Sequence, residues 1–423
     1  MTPALLIISL AVCGATSGQA FQSPSSISLD AADVSSPATA AAGTPDATPA
    51  PATTDTLVPQ PPPQADAAAS TPQGFTFTVG GHFKPQAIFD FNPAGNTDFW
   101  DPRTIPVDGS TGQNFRVHAR DTRLSLDVRG PAQGRDLRLF VETDFAEGTG
   151  YTLRLRHAYG SWGPLLAGQT WSTFMDELVI PNTIDLEPPM TFPFLRVAQM
   201  RLAHSLGAKG AWAVAIEDPT HKIDIPPGLD GKEEHPAPDV TGRLRWTGSA
   251  WHAQLSGFAG MVRFRPTSGS TQQRAIWGLA LGGKTAFGGR TALGPRDALS
   301  AQVTAGRGVG RFRGGTVAAF DDAGVLRPVG AVGLLASYDH AWSDRFTSNA
   351  SYGWVTGDTS GRRTTDATRS GVYATANLLW WFLPGRAWFG GEYLFGWREV
   401  DSGATGHANR VQFAFKFLIH GTG

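Results

Sequence analysis

Apolar and polar residues alternate along this chain with the two-residue period of a β-strand. Between residues 75 and 91, one parity carries Phe75, Phe77, Val79, Gly81, Phe83, Pro85, Ala87, Phe89 and Phe91. The other parity is mostly polar, with Ile88 as the exception. Because side chains of a strand point to alternate faces, the run predicts one apolar and one polar face. It exceeds the roughly five to six residues of a soluble strand and suits the roughly nine to eleven of a membrane-spanning one.

The segment 151–160 repeats this pattern with a cationic polar face. One parity holds Tyr151, Leu153, Leu155, His157 and Tyr159, and the other holds Thr152, Arg154, Arg156, Ala158 and Gly160. A soluble sheet could bury the apolar face, but the pattern recurs over many long strands. A barrel wall with lipid outside and water inside explains the repetition better.

The alternation continues to the C-terminus and predicts about sixteen strands. They span 75–91, 115–129, 135–147, 151–160, 162–170, 195–206, 209–217, 239–248, 250–264, 271–287, 296–308, 327–342, 344–357, 370–383, 385–400 and 407–419. Links after even-numbered strands are mostly short, whereas links after odd-numbered strands are often long. An even strand count with alternating short turns and long loops is typical of bacterial outer-membrane barrels. We therefore predict an all-β, transmembrane antiparallel β-barrel over residues 74–423.

The first 73 residues differ in composition from the rest. Residues 4–12 (ALLIISLAV) have the size of a signal-peptide core, and Gly18-Gln19-Ala20 offers a cleavage site, so we expect a signal peptide at 1–20. No basic residue precedes this core. Residues 21–73 are rich in Ala, Pro and Thr and predict a disordered spacer, because they bury too little apolar area to offset chain entropy.

Composition narrows the functional classes. The formal net charge is −1, so no nucleic-acid partner is expected. The only cysteine is Cys13, within the expected leader, and a cysteine-free mature chain suits an oxidising compartment. No stretch reaches the roughly 18 apolar residues of a spanning helix, which leaves a closed barrel as the membrane option.

The long link 171–194 and a set of arginines carry the candidate chemistry. The link contains Asp176, Glu177, Asp185 and Glu187 and several prolines, which predicts a stiff acidic loop that folds inward and constricts the lumen. Opposite it we expect pore-lining arginines, namely Arg116, Arg120, Arg138, Arg154, Arg156, Arg196, Arg201, Arg243 and Arg245. Arg201 has the opposite parity to Arg196, which a bulge or a strand start would reconcile. Charged rings filter solutes, and confined arginines concentrate anions.

Two other interpretations of these residues stay open. In the first, the arginines pair with neighbouring acids such as Glu142 and Asp144 and only brace the inner wall, instead of lining a conducting path. His157, on the predicted outward face, and Ser161 invite comparison with barrel-embedded lipid hydrolases, although no third catalytic residue or nucleophile-elbow motif accompanies them. The histidines show no metal-ligand spacing, so we predict neither a metal site nor a cofactor.

Aromatic residues cluster near the ends of the last strands, as expected for membrane interfaces. Trp380 and Trp381 are adjacent, so they point to opposite faces of one strand and one of them lies outside any lipid-facing belt.

The blocks VETDF (141–145), LRLRHAYGSWGPLLAGQTWSTFMD (153–176) and PNTIDLE (181–187), followed by an Arg-rich strand from Arg196, resemble the DcaP-like outer-membrane porins. The middle block is specific, whereas the C-terminal half is similar only as barrel sequence. The resemblance implies a sixteen-stranded barrel in the bacterial outer membrane, a homotrimer, and passive uptake of small, often anionic solutes such as dicarboxylates. It also implies that Arg154, Arg156 and Arg196 belong to the pore wall and that the segment 169–176 opens the inward loop.

The chain departs from that family in two respects. Its Pro-rich spacer cannot form the N-terminal coiled coil that family members often carry, and a short tail follows the aromatic Phe417. We expect a non-enzymatic porin in contact with outer-membrane lipids. The alternatives are a barrel with a plugged lumen that acts as a surface-binding or adhesion protein, and a lipid hydrolase.

Overall fold

The computed structural model describes residues 74–147, 150–358 and 366–422. The expected signal peptide and spacer lie outside these ranges. The described chain forms a 19-stranded sheet, a 3-stranded sheet and three short 3-10 helices, Pro102–Thr104, Glu177–Val179 and Val309–Arg313. The strands are β1 Thr76–Phe83, β2 Gln86–Asp90, β3 Asn114–His118, β4 Arg123–Ala132, β5 Arg135–Glu147, β6 Thr152–Trp162, β7 Leu165–Trp171, β8 Arg196–Leu206, β9 Gly210–Glu217, β10 Ile223–Asp224, β11 Gly231–Glu234, β12 Asp239–Thr247, β13 Trp251–Pro266, β14 Gln272–Thr291, β15 Gly294–Arg307, β16 Ala318–Phe320, β17 Leu326–Pro328, β18 Gly330–Ala341, β19 Phe346–Gly357, β20 Thr368–Leu383, β21 Ala387–Val400 and β22 Thr405–Thr422.

None of the helices in the described ranges has the length and apolar character that a membrane span requires.

The large sheet closes into a barrel of sixteen antiparallel spanning strands. We call each of these a stave, because two of them are each made of two consecutive β-strands. β1 and β2 form the first stave and β3 and β4 the second, since short irregular segments interrupt each of them. The third to sixteenth staves are β5, β6, β7, β8, β9, β12, β13, β14, β15, β18, β19, β20, β21 and β22. β1 and β2 pair with β22 on one side and with β4 and β3 on the other, which joins the last stave to the first.

The sixteen-strand prediction is confirmed, and each predicted span overlaps its stave. Short links follow the even-numbered staves, at 133–134, 163–164, 207–209, 248–250, 292–293, 342–345 and 384–386. The longest links follow odd-numbered staves, at 91–113, 172–195, 218–238 and 308–329. One rim of the barrel therefore carries tight turns, and the other carries the long loops.

Large apolar side chains are exposed on the outer face, as expected for a lipid-facing surface. In β1, Phe77 and Val79 are exposed, while His82 is buried on the inner face. Ile88, the exception to the polar parity of this stave, is fully buried inside. The adjacent Trp380 and Trp381 separate as predicted, with 45% and 8% exposure respectively.

A β-bulge corrects the predicted faces of β6. Glu142 pairs with His157 and Thr143 pairs with Leu155, so Arg156 is an extra residue without a partner across the strand. Tyr151, Leu153 and Leu155 are exposed outward, but His157 is 6% exposed and lies on the inner face with Glu142. The prediction that His157 and Tyr159 share the outer apolar face is wrong, because one inserted residue reverses the alternation beyond it.

Candidate functional site: the inner wall and the loop that crosses the bore

The link between the fifth and sixth staves begins on a buried polar anchor. The Ser172 hydroxyl donates to both carboxylate oxygens of Glu217 at 3.0 and 2.9 Å, and the Thr173 N–H donates to Glu217 at 2.8 Å. The Thr241 hydroxyl donates to the same carboxylate at 2.8 Å. Glu217 is 1% exposed, so these bonds replace its lost water and fix the start of the link to the wall.

The next two acids of the link bind side chains from the eighth and ninth staves. Asp176 lies 2.8 Å from His252 Nε2. Glu177 Oε1 lies 2.9 Å from Arg245, and its Oε2 lies 3.4 Å from Arg243. These two guanidinium groups outweigh the effect of burial and lower the pKa of Glu177 from 4.5 to about 2.

Farther along, the link reaches the opposite side of the barrel. Glu392, on the fifteenth stave, accepts the backbone N–H groups of Ile184 and Asp185 at 2.9 and 2.8 Å. Asn377, on the fourteenth stave, donates to the Asn182 carbonyl at 2.8 Å. In a ring of sixteen, the fourteenth and fifteenth staves lie seven and six places from the fifth, and these contacts therefore place the link across the bore. We call residues 172–195 the crossing loop.

Glycines on the inner face let the crossing loop approach the far wall. A Cβ added to Gly353 would lie 2.7 Å from the Pro189 Cβ, closer than real Cβ atoms approach. A Cβ at Gly371 would lie 2.5 Å from the Met190 Cε. The loop therefore packs directly on the wall backbone at these positions.

Asp185 is a second buried acid of the crossing loop, and it lies near the far wall of the barrel. Asp185 accepts from the Trp100 and Glu187 N–H groups and lies 3.8 Å from Arg410, which also binds Asp90 at 2.6 Å. Burial raises the pKa of Asp185 to about 7. The positive charge of Arg410 lowers this pKa, but only in part, and the negative charge of Glu392 raises it further.

Seven of the nine predicted arginines form ion pairs on the inner wall. The pairs are Arg116 and Arg120 with Asp98, Arg138 with Asp127, Arg154 with Asp144, Arg156 with Asp144 and Glu142, and Arg243 and Arg245 with Glu177. Asp127 also binds Arg129 at 2.9 Å. Four carboxylates, those of Asp98, Asp127, Asp144 and Glu177, are thus each shared by two guanidinium groups.

Arg154 and Arg156 show how the bulge in β6 shapes this arrangement. Each lies 2.7 Å from Asp144, and Arg156 also lies 2.6 Å from Glu142. Arg156 is fully buried. The pairing with Glu142 and Asp144 that the sequence left open is present, and with Arg123, 3.9 Å from Glu142, three arginines face these two acids.

Arg196 and Arg201 differ from the other seven. Arg196, the first residue of β8, places its guanidinium carbon 4.7 Å from the ring centre of Trp171. Arg201 shares the inward parity of Gln199 on the same strand. Neither guanidinium has a carboxylate within ion-pair distance among the described residues.

The four predicted loop acids are also paired. Besides Asp176 and Glu177, Asp185 is near Arg410, and Glu187 binds Arg313 at 3.0 Å. The acids therefore contact basic groups directly. Sequence reasoning missed Arg410 and Arg313. Arg410 could have been found from its parity, because it shares the inward face of β22 with Ala408 and Gln412.

Two cavities border the crossing loop. One, of about 480 Å³, is lined by loop residues such as Ile184 and by Trp388 and Lys416 toward the short-turn rim. The other, of about 510 Å³, is lined by Met190, Thr191 and residues of the long links. The loop thus separates two water-accessible spaces of the bore.

The other sites considered from sequence have no supporting geometry. His157 lies inside and its Nδ1 is 3.0 Å from the Thr170 hydroxyl, so the outward histidine on which the hydrolase interpretation depended is wrong. No group of three His, Cys, Asp or Glu side chains suited to a metal ion occurs in the described part of the chain.

Comparison with known proteins gives one family and several similar folds. The profile of the family "DcaP outer membrane protein" matches residues 64–418. No curated protein matches the chain. The outer membrane channel DcaP of Acinetobacter baumannii is 21% identical, with a TM-score of 0.72, and the match covers 82% of this chain and 98% of that one.

Two further solved structures are similar in fold. An anion-selective porin from Comamonas acidovorans is 11% identical, with a TM-score of 0.56 over 82% of this chain and 100% of that one. OmpT of Vibrio cholerae is 10% identical, with a TM-score of 0.51 over 83% and 100%. The family match covers most of the chain, and the closed sixteen-stave barrel agrees with it. The chain therefore belongs to the DcaP family of channels, and its location is the bacterial outer membrane.

Proposed function

We propose that this protein is a passive diffusion channel for small anions, including dicarboxylates, and that inner-wall arginines set its preference. One observation carries the proposal: four carboxylates of the inner wall and its inward-facing links are each shared by two guanidinium groups. The groups around Asp98 and Asp127 each hold two arginines and one acid, and Arg123, Arg154 and Arg156 face the two acids Asp144 and Glu142, so these groups keep a net positive charge. Positive charge within a low-dielectric bore raises the local concentration of anions.

Arg196 and Arg201 add to this excess. Arg196 lies over the ring of Trp171, and its Nη1 has no hydrogen-bond partner within the described residues, so it keeps a donor for a ligand. Arg201 has no neutralising partner among the residues described, and arginine stays charged at any physiological pH. Both therefore offer donors to a passing carboxylate.

The crossing loop is proposed to form the constriction. Its contacts span from Ser172 at the fifth stave to Pro189 at the thirteenth, with one cavity on each side. A solute must pass the edge of this loop, where Glu177 is held by Arg243 and Arg245. The narrowest part of the route is thus expected to be close to arginines.

Reversal potentials in a salt gradient test the proposal. Arg154→Ala with Arg156→Ala removes two positive charges and leaves Asp144 without its arginines, so we expect anion preference to fall steeply. The matched control is Arg263→Ala with Arg265→Ala. These two arginines have the same spacing and share Glu234, but they alternate with the inward-facing Val262 and Phe264. Unchanged selectivity in the first pair would contradict the site assignment.

One observation favours a second candidate, a plugged barrel that binds a partner at the cell surface. β10, β16 and β17 form a small separate sheet, and Phe174 packs with Phe258 and Phe312 in an apolar core beside it. Loop structure of this kind could close the bore. Single-channel recordings distinguish the two candidates, because a plugged barrel gives no conductance steps.

The homotrimer is part of the same proposal. The exposed apolar outer face contacts lipid or a neighbouring copy equally well, since both bury apolar surface. Mass measurement of the detergent-solubilised protein tests it, with three chains expected and a single chain as the contradicting result.

A further inference from the structure

An apolar patch lines the bore below the crossing loop, where a water-filled barrel is ordinarily polar. Trp381 and Trp388 come from the fourteenth and fifteenth staves and are 8% and 6% exposed. Their ring centres are 6.4 Å apart in an edge-to-face arrangement. Leu379 and Ile184 pack with them, and Leu293 borders the group. We call these five residues the tryptophan patch.

Membrane anchoring does not explain the tryptophan patch. Trp380, the sequence neighbour of Trp381, is the lipid-facing residue and is 45% exposed. Trp381 instead donates its indole N–H to the Thr347 hydroxyl at 3.0 Å. The two inner tryptophans line the cavity of about 480 Å³ on the short-turn side of the crossing loop.

Basic groups line the same cavity. Lys84 donates to Asp121 at 2.9 Å and to the Ile184 carbonyl at 2.5 Å, which uses two of the three donors of an ammonium group. Lys284 lies 3.4 Å from Asp339, and its side chain is 23% exposed. Both lysines therefore keep donors for a further acceptor.

Each of the four acids that line this cavity, Asp121, Glu177, Asp185 and Asp339, has a basic partner. Asp121 accepts from Lys84, and Glu177 is held by two arginines. Asp339 accepts from Asn182 at 3.0 Å and from Asn349 at 2.7 Å, in addition to Lys284. The remaining capacity of the cavity is thus cationic donors beside an apolar surface, which complements an anion with an apolar body.

We propose that this cavity is a binding subsite for organic monocarboxylates that carry an apolar ring or chain. The inference rests on the proposed function, because it names a solute class for the same channel. The carboxylate binds the lysine side of the cavity, and the apolar body lies against Trp381 and Trp388. A cavity of this volume is within the usual range for small-ligand sites.

Two solutes of equal charge test the proposal, namely benzoate and acetate. We expect benzoate to reduce the KCl current of single channels at concentrations at which acetate has little effect. Trp381→Ala with Trp388→Ala should weaken the benzoate block by about tenfold, because it removes both aromatic contacts. Trp380→Ala is the matched control and should leave the block unchanged.

A second variant separates binding from folding. Trp388→Leu keeps an apolar side chain in the patch, so it should preserve the heat-modifiable gel mobility of a folded barrel and still weaken the benzoate block. Equal block by benzoate and acetate in a channel that keeps its anion preference would overturn the subsite and leave the proposed function standing. Benzoate block that persists in the tryptophan double variant would also overturn it. A wild-type channel without anion preference would instead contradict the proposed function.

Discussion

Replacing Glu177 by Gln should release the near end of the crossing loop. Glu177 is 5% exposed and is held by Arg243 and Arg245. The substitution keeps the shape of the side chain but removes its charge, and two half-buried guanidinium groups then face each other without a counter-charge. We expect the docked loop to lose stability and the bore to gain positive charge.

The pKa of Glu177 sets the size of this effect. A fall from 4.5 to about 2 means that the docked loop prefers the ionised carboxylate by about 3 kcal/mol. Because the pKa is lowered on docking, this stabilisation is complete above about pH 4.5 and is lost as the pH falls toward 2. The Gln variant at neutral pH should therefore resemble a wild-type protein whose Glu177 is protonated, with a docking equilibrium about 300-fold weaker.

Limited proteolysis measures the loss of loop stability, and single-channel recordings measure the gain of positive charge in the bore. We expect more current noise, faster cleavage within the loop and a reversal potential shifted toward greater anion preference. Glu187→Gln is the matched control, since it removes the same charge from the same loop. Glu187 binds Arg313 at 3.0 Å, but its side chain is 27% exposed, and pairs of that kind contribute about 1 kcal/mol or less. If the two variants behave alike in noise, cleavage and selectivity, the argument for Glu177 as the anchor is refuted.

Two further predictions concern the far end of the loop. Gly353→Val should push Pro189 off the wall and increase conductance, because a Cβ at Gly353 would lie 2.7 Å from the Pro189 Cβ. Gly242→Val is the control, since a Cβ there has its nearest neighbouring atom 3.7 Å away. Equal conductance in the two variants would contradict loop contact at Gly353. Asp185 has a pKa raised to about 7, so the docked loop favours its protonated form and should lose stability as the pH rises from about 4 to 7. Asp185→Asn should abolish that dependence in proteolysis rates measured across this range, and an unchanged pH profile would contradict the assignment.

The staves could be predicted from sequence because strand alternation is local. Lipid outside and water inside impose a two-residue period on each stave, and link lengths alternate because one rim carries tight turns. The prediction failed at Arg156, where one extra residue reverses the faces of His157 and Tyr159. A bulge leaves no apolar or polar signature of its own, since the alternation resumes on either side of it.

The partners of the candidate site could not be predicted in the same way. The arginines were identifiable as inward residues, yet their acids are often distant in sequence, as with Arg243 and Glu177, 66 residues apart. Arg410 and Asp90 are 320 residues apart and meet only because the last stave closes on the first. Nearness along the chain predicts the pairing of Arg154 with Asp144, but it does not predict that Asp144 is shared by Arg154 and Arg156.

By itself, the sequence determined a membrane barrel of sixteen staves, its inner and outer faces over most of its length, and an acidic, proline-containing link after the fifth stave. Those features follow from hydrophobic periodicity and turn chemistry, which act over a few residues. Only the tertiary structure decided that this link crosses to Gly353, that its acids lie against Arg245, Arg313 and Arg410, and that Trp381 and Trp388 face the bore. Those contacts arise when the sheet closes, because ring closure sets which distant staves oppose one another across the bore.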